Sequence, residues 1–380
     1  MKLATLSYSP STGWSGPIPK DLDSEHTLVL IFADQSYLEN SAPLEQVSGL
    51  FKNAIIVGCS TAGEISGTRV SEGTISMAVI RFERTQLRLS SAPISSAEES
   101  NKVGQFLGEA LKGTDLQAVL VFSDGLLVNG SELLNGLSHV LLPPIIISGG
   151  LAGDGPRFKR TWVIHNKKPH VGYVSTVGLY GKSIKLSTGS LGGWDVFGPE
   201  RLVTRSSGNI LYELDGKPAL ALYKKYLGDR ASELPASALL FPLSLRSESL
   251  KRKGLVRTVL AVDEKHDSMT FAGDIPEGSY AQLMKANFNR LIEGAANAAK
   301  IAANKLPLGS VNLVIAISCV GRRLVLGSKI ESETEATLEV FPPGTQQVGY
   351  YSYGEISPLA SGRCDLHNQT MTLTSISEEE

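Results

Sequence analysis

The sequence predicts an α/β protein with two domains, built from repeated strand–helix–strand units to which antiparallel strands are added. Three observations support this fold class: an apolar run that recurs along the chain, stretches of helical length and spacing after it, and a glycine-rich turn that closes each copy. The chain has 380 residues, which is more than one hydrophobic core usually organises. Two domains are therefore expected.

The repeat is clearest between residues 28–34, Leu-Val-Leu-Ile-Phe-Ala-Asp, and residues 118–124, Ala-Val-Leu-Val-Phe-Ser-Asp, at an offset of 90. The same offset, without a gap, aligns two further pairs of segments: 55–57 with 145–147, and 62–64 with 152–154. A third copy begins with the apolar run 313–318, and its turn at 348–357 matches residues 57–66 at six of ten positions. One supersecondary unit thus recurs three times.

Each copy has the pattern of two parallel strands joined by a helix. The fully apolar runs predict strands that are buried on both faces. The stretches Pro43–Asn53 and Ser131–Leu142 have the length and spacing of amphipathic helices, and such a crossover is right-handed. Ligands of such sheets bind where glycine-rich loops leave the carboxyl ends of the strands. The turns at 58–66, 148–155 and 349–357 are therefore predicted to converge on one site.

Segments of alternating polarity after these turns predict antiparallel strands, at 74–82, 87–91, 171–180 and 183–191. Tyr180–Ser183 is predicted to be a hairpin turn between the last two, and Ser96–Lys112 a helix. A glycine pair and a Gly-Pro step in Gly192–Arg205 indicate a domain junction. The predicted division is an N-terminal extension at 1–24, a first domain at 25–195 and a second domain at 196–380.

The second domain begins with a different pattern. Asn209–Leu214 predicts a short strand, and Pro218–Leu227 a helix with proline at its first position. Three further strands are predicted to form a meander, at 238–245, 255–262 and 269–273. The alanine-rich stretch Phe288–Leu306 predicts a long helix.

Composition and charge limit the classes of partner. The 36 basic and 38 acidic residues nearly cancel, so neither nucleic acid nor an anionic membrane is expected as a partner. No stretch approaches the about 20 apolar residues that a membrane-spanning helix needs, and the N-terminal residues do not match a secretory signal. Three scattered cysteines predict neither a disulfide framework nor a zinc site. A cytoplasmic location is expected.

The first turn carries the strongest candidate binding residues. Backbone N–H groups around Gly63, with the hydroxyls of Ser60 and Thr61, could bind a carboxylate or another small anion. The same residues could equally form a strand-exit turn whose hydroxyls cap a helix. Cys59 could be a reactive thiol beside a helix terminus, or a packed and inert one.

Acidic residues recur in the turns. Glu64 and Glu355 occupy equivalent repeat positions, and Asp154 aligns with Glu64 in the second copy. The two glutamates could bind an amine, or each could hold an arginine such as Arg69 or Arg322 in a structural ion pair. A carboxylate pair could also perform acid–base chemistry, but neither a positioned nucleophile nor a set of metal ligands accompanies it.

Several motifs resemble the FIST family, named for F-box and intracellular signal transduction proteins. Val-Gly-Cys-Ser-Thr-Ala-Gly-Glu-Ile at 57–65 resembles the signature of the family's N-terminal domain. Gly208–Ala219, Ser318–Arg322, Tyr353–Glu355 and Leu366–Thr370 resemble stretches of its C-terminal domain, in the family's order.

The resemblance implies a sensor of small ligands such as amino acids. Because glycine-rich loops occur in both halves of the chain, the ligand is expected to lie between the two domains. Such a protein would regulate a separate histidine kinase or a cyclic-dinucleotide enzyme. The resemblance also implies four further ligand-binding residues in the second domain: Ser318, Arg322, Tyr353 and Asn368.

Two alternatives remain. Some family members look like haem-based nitric oxide sensors, and His367 is then the candidate axial ligand, with Cys364 as a thiolate substitute. The other alternative is a thiol- or carboxylate-dependent enzyme that uses Cys59 or Glu64. It lacks a recognisable triad, so the protein is not expected to be an enzyme.

Overall fold

The computed structural model describes residues 1–247, 252–304, 313–359 and 362–379. Mixed sheets with helices packed on them confirm the predicted α/β class. Three related units form one part, which we call the three-unit core. Residues 195–247 and 252–285 form the other part, which contains an antiparallel sheet and an α-helix and which we call the antiparallel module.

The first segment contains the first predicted strand–helix–strand unit. Its elements are β1 (Lys2–Ser9), β2 (Gly13–Trp14), β3 (Thr27–Asp34), α1 (Ala42–Leu50), β4 (Ile55–Thr61), β5 (Glu64–Ser66), β6 (Arg69–Ser71), β7 (Ile75–Arg81) and β8 (Gln86–Pro93). Strands β3 and β4 are parallel neighbours, as their apolar runs predict. Helix α1 has Pro43 in its first turn and buries Leu44 and Val47.

The second segment repeats this pattern. Its elements are α2 (Ser100–Leu111), β9 (Leu116–Ser123), α3 (Gly130–Val140), β10 (Ile146–Leu151), β11 (Val163–His165), β12 (Lys168–His170), β13 (Tyr173–Tyr180) and β14 (Ile184–Leu191). Strands β9 and β10 are parallel. Helix α3 begins after Asn129, whose side-chain oxygen accepts hydrogen bonds from the N–H groups of Ser131 and Glu132.

The antiparallel module begins within the predicted junction. Its elements are β15 (Asp195–Val196), β16 (Arg201–Ser207), β17 (Ile210–Leu214), β18 (Lys217–Pro218), α4 (Ala219–Leu227), β19 (Leu243–Ser247), β20 (Arg252–Arg257), β21 (Val259–Asp263), β22 (Ser268–Phe271) and β23 (Tyr280–Lys285). The prediction of a single strand at 255–262 is wrong, because Thr258 separates two strands, β20 and β21. The N–H of Thr258 donates to the side chain of Asn368 in the core instead of to a neighbouring strand.

The last segment contains the third copy. Its elements are α5 (Phe288–Ala303), β24 (Leu313–Cys319), α6 (Val320–Leu326), α7 (Ile330–Leu338), β25 (Gln346–Ser352), β26 (Gly354–Pro358), β27 (Cys364–His367) and β28 (Met371–Glu378). Strands β24 and β25 are parallel, as predicted. The end of the helix predicted at 288–306 lies outside the described residues.

The three sheets of the core have one common strand order. Each has an edge strand, an antiparallel strand, two parallel strands and an outer hairpin. The orders are β1-β7-β3-β4-β11-β12, β8-β13-β9-β10-β26-β27 and β14-β28-β24-β25-β5-β6, and the short strand β2 is added to the first sheet outside β1. The structure is therefore a pseudo-threefold arrangement of one unit.

The outer hairpin of every core sheet comes from another unit. Hairpin β5–β6 follows β4 but pairs with β25, β26–β27 follows β25 but pairs with β10, and β11–β12 follows β10 but pairs with β4. Strands from both sides of the predicted junction thus share two of the three sheets. Each unit needs the others to complete its hydrogen bonding.

Two details of the predicted repeat are wrong. The offset between the first two copies changes to 91 at the second parallel strand, where Gly58 and Gly149 take equivalent places opposite Ile31 and Val121. Tyr180–Ser183 does not join a hairpin, because β13 pairs with β8 and β9 while β14 crosses to pair with β28. The common sheet order accounts for this crossing, since β14 supplies the edge strand of the third sheet.

Residues of the predicted N-terminal extension belong to the first sheet. Strand β1 pairs with β7 over Lys2–Tyr8. The amino group of Met1 lies 3.5 Å from a carboxylate oxygen of Glu378, at the end of β28. Within the described ranges, no helix combines the length and the apolar composition that crossing a bilayer requires.

Candidate functional site

The three predicted turns contact one another directly. The N–H of Ala62 donates to the carbonyl oxygen of Tyr351 at 2.8 Å, and the N–H of Tyr351 donates to that of Gly63 at 2.8 Å. The N–H of Gly153 donates to the carbonyl oxygen of Ser60 at 2.9 Å. The turns meet because each second parallel strand leads into a hairpin of another sheet.

Polar side chains of the turns are buried and bonded to other protein groups. Ser60 accepts a hydrogen bond from the N–H of Trp162 at 3.0 Å. The carboxylate of Asp154 accepts hydrogen bonds from the N–H groups of residues 158–160 at 2.9–3.0 Å and from the hydroxyl of Tyr353. These groups therefore hold the interlocked turns together.

Glu64 and Glu355 have the same hydrogen-bonding environment. Glu64 accepts hydrogen bonds from the hydroxyl of Thr61 and from the N–H and hydroxyl of Thr74, at 3.0 and 2.7 Å for the latter two. Glu355 accepts them from the hydroxyl of Ser352 at 2.8 Å and from the N–H and hydroxyl of Thr370 at 3.1 and 2.9 Å. The repeat correctly identifies the two carboxylates as structural equivalents.

Burial changes the acidity of both carboxyl groups. It raises the pKa of Glu64 to about 7 and that of Glu355 to about 8, although the hydrogen bonds from neighbouring hydroxyl and N–H groups act in the opposite direction.

We expect the stability of the protein to fall as pH rises towards 8, in part because of Glu355. The folded state keeps the proton of Glu355 up to about pH 8, whereas the ordinary pKa of an exposed glutamate is 4.5. This contribution is complete below the unfolded pKa and is lost as pH rises through the folded pKa. Urea unfolding between pH 5 and 9 measures the slope, and Glu355→Gln is expected to flatten it. Identical slopes in the two proteins would contradict the assignment.

Arg322 pairs with Glu333 and not with Glu355. Both side chains are fully buried, and Nε of Arg322 lies 2.8 Å from Oε1 of Glu333. The hydroxyl of Ser318 donates to the same oxygen at 3.0 Å. The guanidinium also donates to the carbonyl oxygens of Gly192 and Leu291. Ser318 and Arg322 thus belong to a buried ion-pair network, whose acidic member on α7 the sequence did not suggest.

Arg69 does not pair with Glu64 either. The ion pairs of the described residues do not include Arg69, which is exposed on β6. Burial is nearly complete for Glu64, at 2% exposure.

Cys59 is not activated. It is fully buried in β4, and burial raises the pKa of its thiol to about 12. A thiolate nucleophile is therefore not available at neutral pH. Cys364 is buried as well, and burial raises the pKa of its thiol well above its ordinary value. The geometry thus gives no support to a thiol-dependent enzyme.

The last predicted residues lie in and beside β27. Asn368 is buried, and its side-chain oxygen accepts from the N–H of Thr258, which joins the core to the antiparallel module. His367 lies opposite Glu355, with Nε2 3.1 Å from the carbonyl oxygen of Ser357. Nε2 is thus engaged within the protein by a backbone carbonyl oxygen.

A cleft that the sequence did not suggest lies between the antiparallel module and the core. We call it the seam cleft, and its volume is about 130 Å³. Both parts contribute charged or polar groups to its wall: Ser131, Asn135, Arg257, Asp274, Ser279, Arg363 and Asp365. A larger and more open groove of about 570 Å³ shares Asn135, Arg363 and Cys364 with it. The seam cleft and this groove are therefore adjacent.

Arg257 anchors the base of the seam cleft. Only 2% of the residue is exposed, and its guanidinium donates to the carbonyl oxygens of Leu366 and Asp274 at 2.9 and 3.1 Å. Nη2 lies 3.9 Å from a carboxylate oxygen of Asp365. Opposite charges from both sides of the seam thus face one small cavity.

Comparisons with known proteins agree with the fold. The family model of the FIST N domain matches residues 27–217, and that of the FIST C domain matches residues 219–358. The uncharacterized protein MJ1623 of Methanocaldococcus jannaschii is 24% identical over 315 residues, which are 75% of this chain and 58% of that relative. The chain thus spans somewhat more than half the length of this curated relative.

FIST domains are associated with sensing in signal transduction. The two family models together account for most of the sequence, and this protein therefore belongs to the FIST family.

Proposed function

We propose that the protein is a cytoplasmic sensor of small ligands that regulates a separate histidine kinase or cyclic-dinucleotide enzyme. The observation that carries this proposal is the seam cleft, whose charged wall combines residues of the antiparallel module with residues of the core. A ligand held there would contact both parts at once. The polar side chains of the interlocked turns are bonded to groups of the protein itself.

The chemistry of the seam cleft supports a small zwitterion, such as an amino acid. Arg363, which is exposed, offers a guanidinium group for a carboxylate, and Arg257 adds a positive charge at the base of the cleft. Asp274 and Asp365 offer carboxylates for an ammonium group. A cavity of about 130 Å³ suits a compact molecule of this class.

Signalling would follow from a difference in affinity between two arrangements of the seam. A ligand shifts such an equilibrium only as far as its binding energies in the two arrangements differ. Polar contacts join the module and the core at the seam, among them Thr258 with Asn368 and the carbonyl oxygen of Leu239 with the side-chain amide of Gln369. A ligand that bridges the seam would stabilise one arrangement of these contacts. This would change an exposed surface to which a partner enzyme binds.

We expect at least one amino acid to raise the melting temperature in a thermal-shift screen. A ligand at a hundredfold excess over its Kd stabilises a protein by about 2.7 kcal/mol. Asp274→Asn is expected to remove the thermal shift, because it deletes the negative charge that would bind the ammonium group. The variant should still fold, because its side-chain oxygen can accept a hydrogen bond from Asn129.

The matched control is Arg205→Gln, which alters an exposed ion pair of the antiparallel module with Glu213. This variant should keep the full shift. A shift that survives Asp274→Asn would exclude the seam cleft as the binding site, and the absence of any shift would exclude amino acids as the ligand.

A further inference from the structure

A second polar cleft lies beside Glu64 in the first unit. We call it the Glu64 cleft, and its volume is about 170 Å³. Strand β1 and its turn form one wall, with the hydroxyls of Ser7 and Ser15. Hairpin β5–β6 and the start of β7 form the opposite wall. Hydroxyl groups thus line a cavity that has a buried carboxylate in its wall.

The strand register explains how the second wall is built. In the antiparallel hairpin, Glu64 lies opposite Ser71 and Ser66 lies opposite Arg69. Residues two apart on a strand point to the same face, so these four side chains share one face of the hairpin. Arg69 is diagonal to Glu64 on this face. Its guanidinium nevertheless forms no ion pair with the carboxylates of the described residues.

The two equivalent glutamates, Glu64 and Glu355, can be compared in their hydrogen bonds and burial. Glu355 makes the same set of hydrogen bonds as Glu64 and is completely buried. The interlocking of the turns therefore accounts for the buried carboxylate at both positions. Beside Glu64, β1 and its turn form the facing wall of a cavity.

We infer that the Glu64 cleft is a second binding site, distinct from the seam cleft, and that it takes a small hydroxylated carboxylic acid. Arg69 at the exposed side pairs with the carboxylate of the ligand, a geometry that allows two parallel hydrogen bonds. Serine hydroxyls both donate and accept, so they match the hydroxyl groups of the ligand. Glu64 accepts a hydrogen bond from a ligand hydroxyl with a lone pair that the protein donors leave available.

Isothermal titration calorimetry with D-gluconate and L-lactate as probes tests this inference. At least one of the two acids is expected to bind, and Arg69→Gln is expected to weaken that binding at least tenfold. Arg69 is exposed, so this variant should fold normally. D-glucose, which has hydroxyls without a carboxylate, and propionate, which has a carboxylate without hydroxyls, should each bind at least tenfold more weakly than the better acid.

Two further variants assign the binding to this cleft. Glu64→Gln is expected to weaken binding, whereas Glu355→Gln, the matched change at the equivalent buried position, should leave it unchanged. Asp274→Asn in the seam cleft should leave it unchanged as well. Failure of both acids to bind, or equal affinity of the parent protein and Arg69→Gln, would overturn the inference.

Discussion

Replacement of Gly58, Gly149 or Gly349 by alanine is expected to destabilise the protein by roughly 3–5 kcal/mol, near the upper end for single substitutions. An added Cβ would lie 1.7, 1.9 and 1.8 Å from the carbonyl oxygen of Ile31, Val121 and Ala316, respectively. A backbone carbonyl in a paired strand cannot move away from such a contact. Gly58 and Gly149 also have φ angles of +150° and +147°, which an alanine rarely adopts.

Chemical denaturation of each variant measures this effect. Gly49→Ala is the matched control, since a Cβ at this exposed helical position meets no atom within 4 Å. Alanine is there expected to stabilise the protein by up to about 1 kcal/mol through helix propensity. Normal stability of the Gly58→Ala protein would show that the first two parallel strands do not approach as closely as the structure indicates.

Arg322→Met is expected to destabilise the protein by about 3–5 kcal/mol, the usual cost of removing one partner from a buried ion pair. The substitution leaves the carboxylate of Glu333 buried without its countercharge. It also removes the donors for the carbonyl oxygens of Gly192 and Leu291. A buried carboxylate or carbonyl oxygen that loses its hydrogen-bond partner costs the full free energy of its desolvation.

A double-mutant cycle with Glu333→Met tests the pairing. We expect the double variant to be more stable than the sum of the two single effects predicts, because neither charge then remains alone. Arg205→Gln is the control for loss of an exposed ion pair and should cost less than about 1 kcal/mol. Strictly additive effects at Arg322 and Glu333 would contradict the buried pair.

The local pattern of the sequence predicts the units but not how they exchange hairpins. Apolar runs and glycine turns identify three parallel pairs because burial on both faces leaves a clear signature. Short strands such as Glu64–Ser66 carry no comparable signature, and their partners lie in another unit. The sequence also predicts a hairpin between Tyr180 and Ile184, because a short turn between two strands ordinarily indicates one. It carries no signal that β14 instead crosses to another sheet.

The candidate site was predictable only in part. The repeat identifies Glu64 and Glu355 as equivalents, but a sequence cannot tell whether a buried carboxylate serves the fold or a ligand. The seam cleft joins residues from three distant segments, represented by Ser131, Arg257 and Asp365, and no short motif connects them. One signal was present, because Arg257 interrupts an apolar strand pattern at a position that faces inwards.

Hydrogen exchange of the backbone amides, measured with and without the amino acid that gives the largest thermal shift, tests the seam cleft most directly. Protection is expected on both sides of the seam together, at residues 131–135 and 363–366 of the core and at 255–257 and 274–279 of the antiparallel module. Protection confined to one of the two parts, or centred on the turns at 58–66 and 349–357, would contradict a ligand that bridges them.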